Sequence, residues 1–253
     1  MRVLPKKELG QHFLVDENIL RVVERLAGLA PDDVVLEIGP GLGVLTRFLA
    51  ERVAHVHAVE IDRSLEDALA GIPKVELHWG DALALPLNSY VPQAVKLVSN
   101  LPYNVATPIV VESLDRLPHV RSWCVMVQRE VADRFFASPR TKAYGAVSVL
   151  LQLATERTGF HPVSREVFRP RPNVESALVA FRRTGPLIEP YVKRVVEGAF
   201  AHRRKTLANS LALSGLVSRD EAGDALRAIG ADPTARAEVL LPAQFVALAE
   251  ALR

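Results

Sequence analysis

One cysteine in 253 residues, Cys124, excludes any internal disulfide and any thiolate metal cluster within the chain. It sits in Trp123-Cys124-Val125-Met126-Val127, an apolar run that reads as a buried strand, so the thiol belongs to the core and is not a nucleophile. The N-terminus lacks a secretory apolar region, and no apolar run approaches the ~20 residues that a membrane helix needs. The expectation is a soluble, cytoplasmic chain with no membrane partner. Internal repeats and low-complexity tracts are also missing, and 49% hydrophobic residues can fill a real core, so disorder is not the main state. Net charge is low as well, at +2, but it is unevenly spread. Residues 165 to 205 hold ten Lys or Arg against four acids, a local excess of +6 that leaves −4 for the remainder. Such asymmetry fits a phosphate-rich partner touching one region.

From Val34 to about Phe181, short β-rich runs alternate with helical periods, which predicts a doubly wound α/β sheet. The strands are expected at Val34 to Ile38, Val56 to Ile61, Val75 to Trp79, Lys96 to Ser99, Trp123 to Val127 and Val174 to Phe181. Helices are expected at Val44 to Leu49, Arg63 to Leu69, Pro108 to Leu117 and Glu130 to Phe136. Ahead of the sheet, Asp16 can cap a helix whose Ile19, Val22, Val23 and Leu26 form one stripe ending at Gly28. Thr184-Gly185-Pro186 breaks the pattern, and residues 190 to 253 carry only helical periods. The expected division is a catalytic domain over 1–184 and a helical domain over 185–253.

The first strand runs into Glu37-Ile38-Gly39-Pro40-Gly41-Leu42-Gly43, and Gly39 and Gly41 let backbone come close to a ligand at the sheet's C-terminal edge. A dinucleotide fingerprint wants its third glycine where this chain has Val44, and it builds a pyrophosphate seat. Glu37 is unfavourable beside a pyrophosphate and acceptable beside the cationic end of S-adenosylmethionine. Glu60 ends the second strand, where a carboxylate can accept hydrogen bonds from both ribose hydroxyls. That position fits NAD equally well. Asp81, in Gly80-Asp81-Ala82 after the third strand, places an acceptor where an adenine amino group would lie. After the fourth strand, Asn100-Leu101-Pro102-Tyr103 offers a side-chain amide, a proline and an aromatic face, a combination suited to methylating an exocyclic amino group on a flat base.

With these motifs in order, the chain resembles the small-subunit rRNA adenine N6,N6-dimethyltransferases over nearly its whole length. The matching stretches are Lys7 to Leu14, Glu37 to Gly43, Val59 to Asp62, Gly80 to Ala82, Asn100 to Pro108, Gln128 to Ala132, Phe168 to Ser176 and Arg203 to Leu207. The resemblance implies a class I S-adenosylmethionine-dependent methyltransferase, with a Rossmann-like sheet and a small all-helical C-terminal domain that recognises RNA. It implies S-adenosylmethionine as donor and two adjacent adenines near the 3′ end of small-subunit rRNA, within an assembling subunit, as acceptors. Carried over by position, His12, Leu14, Gly39, Gly41, Glu60, Asp81, Ala82 and Asn100 are the expected cofactor contacts. His12 departs from the asparagine often found in that position.

Adenine N6 is a poor nucleophile because its lone pair is delocalised into the ring, so such an enzyme must position the base and needs no strong base of its own. The Asn100 side-chain oxygen and the Leu101 or Pro102 carbonyl are expected to accept the N6 protons. Tyr103 is expected to stack on the extruded base and Phe168 to close its other face. Arg169, Arg171, Arg203, Arg204 and Lys205 are the expected RNA contacts. The chain is expected to act as a monomer. A large-subunit rRNA adenine methyltransferase of the antibiotic-resistance type shares the sheet motifs, and Arg203 to Leu207 favours the small-subunit family. An RNA-binding assembly factor with secondary catalysis is the alternative from another class. His55 and His57 lie two apart on one strand face, but with no cysteine partner and no third ligand at a recognisable spacing they read as strand residues, and no metal is expected.

Overall fold

A computed structural model describes residues 11–253, so Lys7 to Gly10 of the first matching stretch lie outside the described residues. Strand β1 (Phe13–Leu14) and helix α1 (Glu17–Ala27) come first. Asp16 caps α1 by accepting from the Asn18 N–H at 2.7 Å, and Gly28 ends it in the left-handed conformation at φ 55°. The chain then alternates β2 (Val34–Ile38), α2 (Val44–Ala50), β3 (His55–Glu60), α3 (Glu66–Leu69), β4 (Val75–Trp79), β5 (Lys96–Asn100), α4 (Ala106–Arg116) and β6 (Ser122–Gln128). The expected helix from Arg63 is split, its first turn being a 3₁₀ segment at Arg63–Leu65. After β6 follow α5 (Arg129–Phe135), α6 (Ala146–Ala154), β7 (Thr155–Val163), β8 (Phe168–Arg169) and β9 (Ser176–Arg183).

Seven of these strands form one sheet in the order β4-β3-β2-β5-β6-β9-β7. Strands β2 to β6 are parallel, and β9 runs antiparallel to β6. The strand order reverses between β2 and β5, the position where open α/β sheets leave a crevice at their C-terminal ends. The two polar residues of the apolar run into β5 are both explained there. The Ser99 hydroxyl accepts from the Ile38 N–H at 2.8 Å, tying β5 to β2, and the Lys96 ammonium pairs with Asp33 at 2.6 Å. Helix α6 and strand β7 carry no clear periodic signal. Strand β7 lies at the sheet edge and contains Glu156, Arg157, Gly159 and Pro162, residues that an edge strand tolerates and a central one does not.

The chain divides into two compact units. The first comprises residues 1–132 and 156–183, of which 11 onward are described, and contains the sheet. The second comprises residues 133–155 and 184–253: α6 together with α7 (Pro190–Ala201), α8 (Leu207–Leu213), α9 (Arg219–Ala228) and α10 (Pro242–Ala251). The expected division at 184/185 had left 133–155 with the sheet. Those residues group with the C-terminal helices because Tyr144 and α6 supply part of their core: the Tyr144 hydroxyl donates to the Leu240 carbonyl, and its ring meets Phe200 edge-on. Among the described residues, no helix is long and apolar enough to cross a membrane.

In the first unit Ile19, Leu20 and Val23 of α1 pack with Leu45 and Leu49 of α2 against Val35, Val56, Val98 and Met126 of the sheet. Leu14 and Phe168, neighbours in the β1–β8 pairing, belong to this same core. Phe168 is wholly buried, which corrects its expected role: a ring enclosed on all sides offers no face to a nucleotide base. Phe168→Ala should therefore lower unfolding stability by about 3–5 kcal/mol, as a large core truncation does, while Phe168→Leu should keep most of the stability and the activity. Urea unfolding of both variants checks this; a stable Phe168→Ala protein would remove the residue from the core.

Candidate active site

Four parallel strands deliver their C-terminal ends to one crevice. The chain leaves β2 through Gly39 at φ 76°, and a Cβ there would lie 3.2 Å from the Pro102 ring. Gly41, at φ 59°, faces Phe13, where a Cβ would come within 2.9 Å. Pro102 and Phe13 therefore close on the loop from two sides, and a side chain at either point would need both a left-handed backbone and a shift of its neighbour. The Gly41 N–H donates to Glu60 Oε2 at 3.2 Å, linking the loop to the end of β3.

Glu60 is buried, and its Oε1 also accepts from the Ile61 and Asp62 N–H groups, both at 2.9 Å. Burial pushes this carboxyl above its ordinary value, opposed by the three backbone N–H groups. With three of roughly four acceptor sites engaged, Oε2 retains room for one further donor, fewer than two ribose hydroxyls would use unless Gly41 gives way. Asp81, two residues beyond β4, is exposed and uses Oδ1 to hold the Leu83 N–H at 2.9 Å, so it is both a turn residue and an acceptor at the crevice. Glu37 has no backbone donors of this kind, and the Thr46 hydroxyl offsets its burial only in part. It is 1% exposed, its Oε2 lacks a hydrogen-bond partner, and burial raises its pKa from 4.5 to about 8. A buried carboxylate without a counter-charge suits a site built for a cation.

At the end of β5 the Asn100 amide is oriented: its Nδ2 donates to the His12 carbonyl at 3.0 Å, which turns Oδ1 the other way as an acceptor. Tyr103 is held at its hydroxyl by Ser176 Oγ, at the start of β9. Its ring lies 5.2 Å from that of His12, whose Nδ1 in turn bonds the Pro170 carbonyl at 2.8 Å. Ser176 and Phe13 lay inside the matched stretches without an assigned role, because their partners are far away in sequence.

These groups line two adjoining clefts. One, of about 670 Å³, takes in His12, Leu14, Glu37, Asn100, Leu101 and Tyr103; the other, of about 630 Å³, takes in Asp81, Ala82, Asn104 and Ile109. They share Gly39, Glu60, Ile61 and Pro102, so the expected cofactor residues fall along one groove with Glu60 at its middle. The expected RNA residues lie elsewhere and are unequal. Arg169 and Arg171 are exposed in the first unit, Arg169 bonded to the Glu166 and Phe168 carbonyls and Arg171 paired with Glu166 at 2.6 Å. In the second unit Arg203 donates to the carbonyls of Lys142 and Tyr144, a structural use, while Arg204 and Lys205 are exposed in the turn after α7.

The family model described as ribosomal RNA adenine dimethylase matches residues 4–252. The chain belongs to this family. Among its relatives, ribosomal RNA small subunit methyltransferase A of Rubrobacter xylanophilus is 47% identical over 250 residues, covering 96% of this chain and 94% of that protein. The protein of the same name from Thermobifida fusca is 43% identical, covering 98% and 90%. Of solved structures, the 23S rRNA methyltransferase ErmE superposes with a TM-score of 0.65 at 31% identity, covering 95% of this chain and 99% of that one. A dimethyladenosine transferase from Plasmodium falciparum reaches a TM-score of 0.76 at 22% identity, covering 94% and 96%, a likeness of fold. The sheet, its crevice and these likenesses make the first unit a class I methyltransferase fold of the dimethylase family, and the chain an enzyme.

The isolated Glu37 carboxyl sets a pH dependence. Between 4.5 and about 8 the folded protein holds a proton there that the unfolded chain has lost. Its contribution to stability is thus complete below the lower value and disappears as pH rises through the upper one. Stability should fall by as much as about 1.4 kcal/mol per pH unit from this group across that window. Urea unfolding at a series of pH values should show this component in the parent and not in Glu37→Gln; parallel curves would exclude Glu37 as its source.

Proposed function

We propose that this enzyme dimethylates N6 of two adjacent adenosines near the 3′ end of small-subunit rRNA, using S-adenosylmethionine, as a cytoplasmic monomer acting during small-subunit assembly. The observation that carries the reading is the oriented Asn100 amide beside an anchored Tyr103, in a groove that also holds Glu37, Glu60 and Asp81. When bound, S-adenosylmethionine supplies an electrophilic methyl group on a positively charged sulfur. Glu37, with its partnerless buried oxygen, and the close approach at Gly39 fit the cationic amino-acid end, together with His12 and Leu14. Glu60 takes the ribose, and Asp81 with Ala82 the adenine ring.

The acceptor base is then positioned by the chain's own groups. Asn100 Oδ1 accepts one N6 proton. The Leu101 carbonyl is the better second acceptor, because the Pro102 carbonyl already receives the Val105 N–H at 3.2 Å. Two acceptors on one side of the amino group favour a pyramidal nitrogen whose lone pair points away from them. Tyr103, fixed through Ser176, supplies a stacking face. RNA is held by exposed basic residues, Arg171, Arg204 and Lys205 among them, and the C-terminal helices read RNA shape.

Labelled methyl transfer to undermethylated small subunits should yield N6,N6-dimethyladenosine, with large-subunit rRNA left unmodified. Asn100→Ala should lose turnover by several orders of magnitude while retaining RNA binding. Product only in large-subunit rRNA would replace this reading with the resistance-type activity, and tight RNA binding without transfer would replace it with an assembly role. Cofactor affinity gives a separate check. A cation bound beside Glu37 expels its proton below about pH 8, so calorimetric affinity should rise by up to about tenfold per pH unit as pH approaches about 8 and level off above it. Glu37→Gln should bind weakly with no such trend; a pH-independent parent would detach Glu37 from the cofactor.

A further inference from the structure

A second cluster of chemistry-bearing side chains lies on the outer half of the sheet, apart from the crevice. His55 and His57 of β3 face the same side, and the parallel register sets His57 opposite Glu76 of β4, with His78 two residues on. Ligand atoms of His55, His57 and Glu76 all lie within 4.8 Å of one another. The individual separations are 3.6 Å from His55 Nε2 to Glu76 Oε2, 3.5 Å from His57 Nδ1 to the same oxygen, and 3.0 Å from His57 Nδ1 to His78 Nε2. Donors placed 2.0–2.2 Å from a common tetrahedral centre stand roughly 3.3 Å apart, close to the 3.6 and 3.5 Å that separate the Glu76 oxygen from His55 and His57.

Proton placement sharpens the point. His57 Nε2 lies 2.7 Å from the Pro92 carbonyl, which can only accept, so this nitrogen carries the proton and Nδ1 presents a lone pair. That lone pair faces a carboxylate oxygen, itself only an acceptor. His78 Nε2 has one proton at most to offer. His55 Nε2 is buried without any hydrogen-bond partner, and so is the hydroxyl of Tyr90, whose ring stacks on His78 at 3.7 Å. His57 Nδ1 and the Glu76 oxygen thus share at most the one proton that His78 Nε2 offers, an arrangement that a positive charge between them relieves.

We infer that His55, His57 and Glu76 form a binding site for a borderline transition-metal dication, of which Zn²⁺ is the representative. Two imidazoles and a carboxylate suit such an ion in tetrahedral geometry, with solvent in the fourth position. The His57 contact with Pro92 is the outer hydrogen bond that metal-bound histidines characteristically make, fixing tautomer and ring orientation. The site is bordered by His78, whose Nε2 lies 3.0 Å from His57 Nδ1. It joins β3, β4 and the segment carrying Tyr90 and Pro92. His57 precedes Glu60 by three residues, roughly 10 Å along a strand, which places the ion outside the methyl-transfer chemistry while bracing the strands that carry Glu60 and lead to Asp81.

Tag-free protein stripped with chelator should take up one Zn²⁺ per chain by calorimetry and gain thermal stability, and Co²⁺ alone should give the intense visible absorption of a tetrahedral site. Because His57 is fully buried, the diagnostic variants are His55→Gln and Glu76→Gln. Each should retain the parent's circular dichroism in chelator, yet weaken uptake by more than the roughly 10- to 100-fold that follows loss of an outer partner. His119→Gln and His202→Gln should bind as the parent does. Absence of stoichiometric uptake, or uptake unchanged in His55→Gln and Glu76→Gln, overturns the site. None of these readouts depends on methyl transfer.

Discussion

The approach of Gly39 to Pro102 is the contact on which the active crevice depends. It brings the exit of β2 against the exit of β5, the two strands that flank the reversal of strand order, with no side chain between them. Everything functional is referred to that junction. Glu60 reaches it through the Gly41 N–H, Asn100 stands immediately before Leu101 and Pro102, and Phe13 seals the other side of the loop at Gly41. A larger residue at position 39 would require both positive φ and displacement of Pro102, separating acceptor groups on β5 from cofactor groups on β2 and β3. The crevice is therefore a consequence of backbone packing before it is a collection of side chains.

Its electrostatics follow from the same tightness. Glu37 and Glu60 lie at neighbouring strand ends, but Glu60 is stabilised by three backbone N–H groups, whereas Glu37 keeps a bare oxygen in a buried position. The two carboxyls thus differ in what they can accept. Glu60 is a hydrogen-bonding group with limited spare capacity, and Glu37 is a latent negative charge that becomes favourable only beside a cation. A pyrophosphate offers neither a cation for Glu37 nor hydrogen-bond donors for Glu60. This contrast distinguishes the crevice from a dinucleotide seat more sharply than the position of the third glycine.

Much of this was legible in the linear sequence because the relevant signals are local. Apolar runs ending at Gly39, Glu60, Gly80 and Asn100 mark strands and their exits, and a parallel sheet necessarily gathers those exits on one edge. What was hidden depended on contacts distant in sequence. Phe168 sits in a motif but its burial is fixed by β1, 154 residues earlier in the pairing of Leu14 with Phe168. Tyr103 gains its anchor from Ser176, and residues 133–155 join the C-terminal helices through Tyr144 and Leu240. The alternation of His55 and His57 was visible, whereas Glu76 and His78 become their neighbours only through strand register.

The basic tract shows why charge counting is a poor guide to an RNA surface. Several of its arginines serve the fold: Arg183 donates to the carbonyls of Leu114, Leu117 and Val120, Arg203 to those of Lys142 and Tyr144. Others face acids, Arg165 with Glu175, Arg171 with Glu166 and Arg182 with Glu156. An exposed ion pair contributes little stability, so Arg171 or Arg165 can exchange a carboxylate for a phosphate at small cost, while the helix-end carbonyls held by Arg183 would lose their donor. The arginines that can serve RNA are accordingly those whose present partners are solvent-exposed side chains. Arg204 and Lys205 are exposed in the turn after α7.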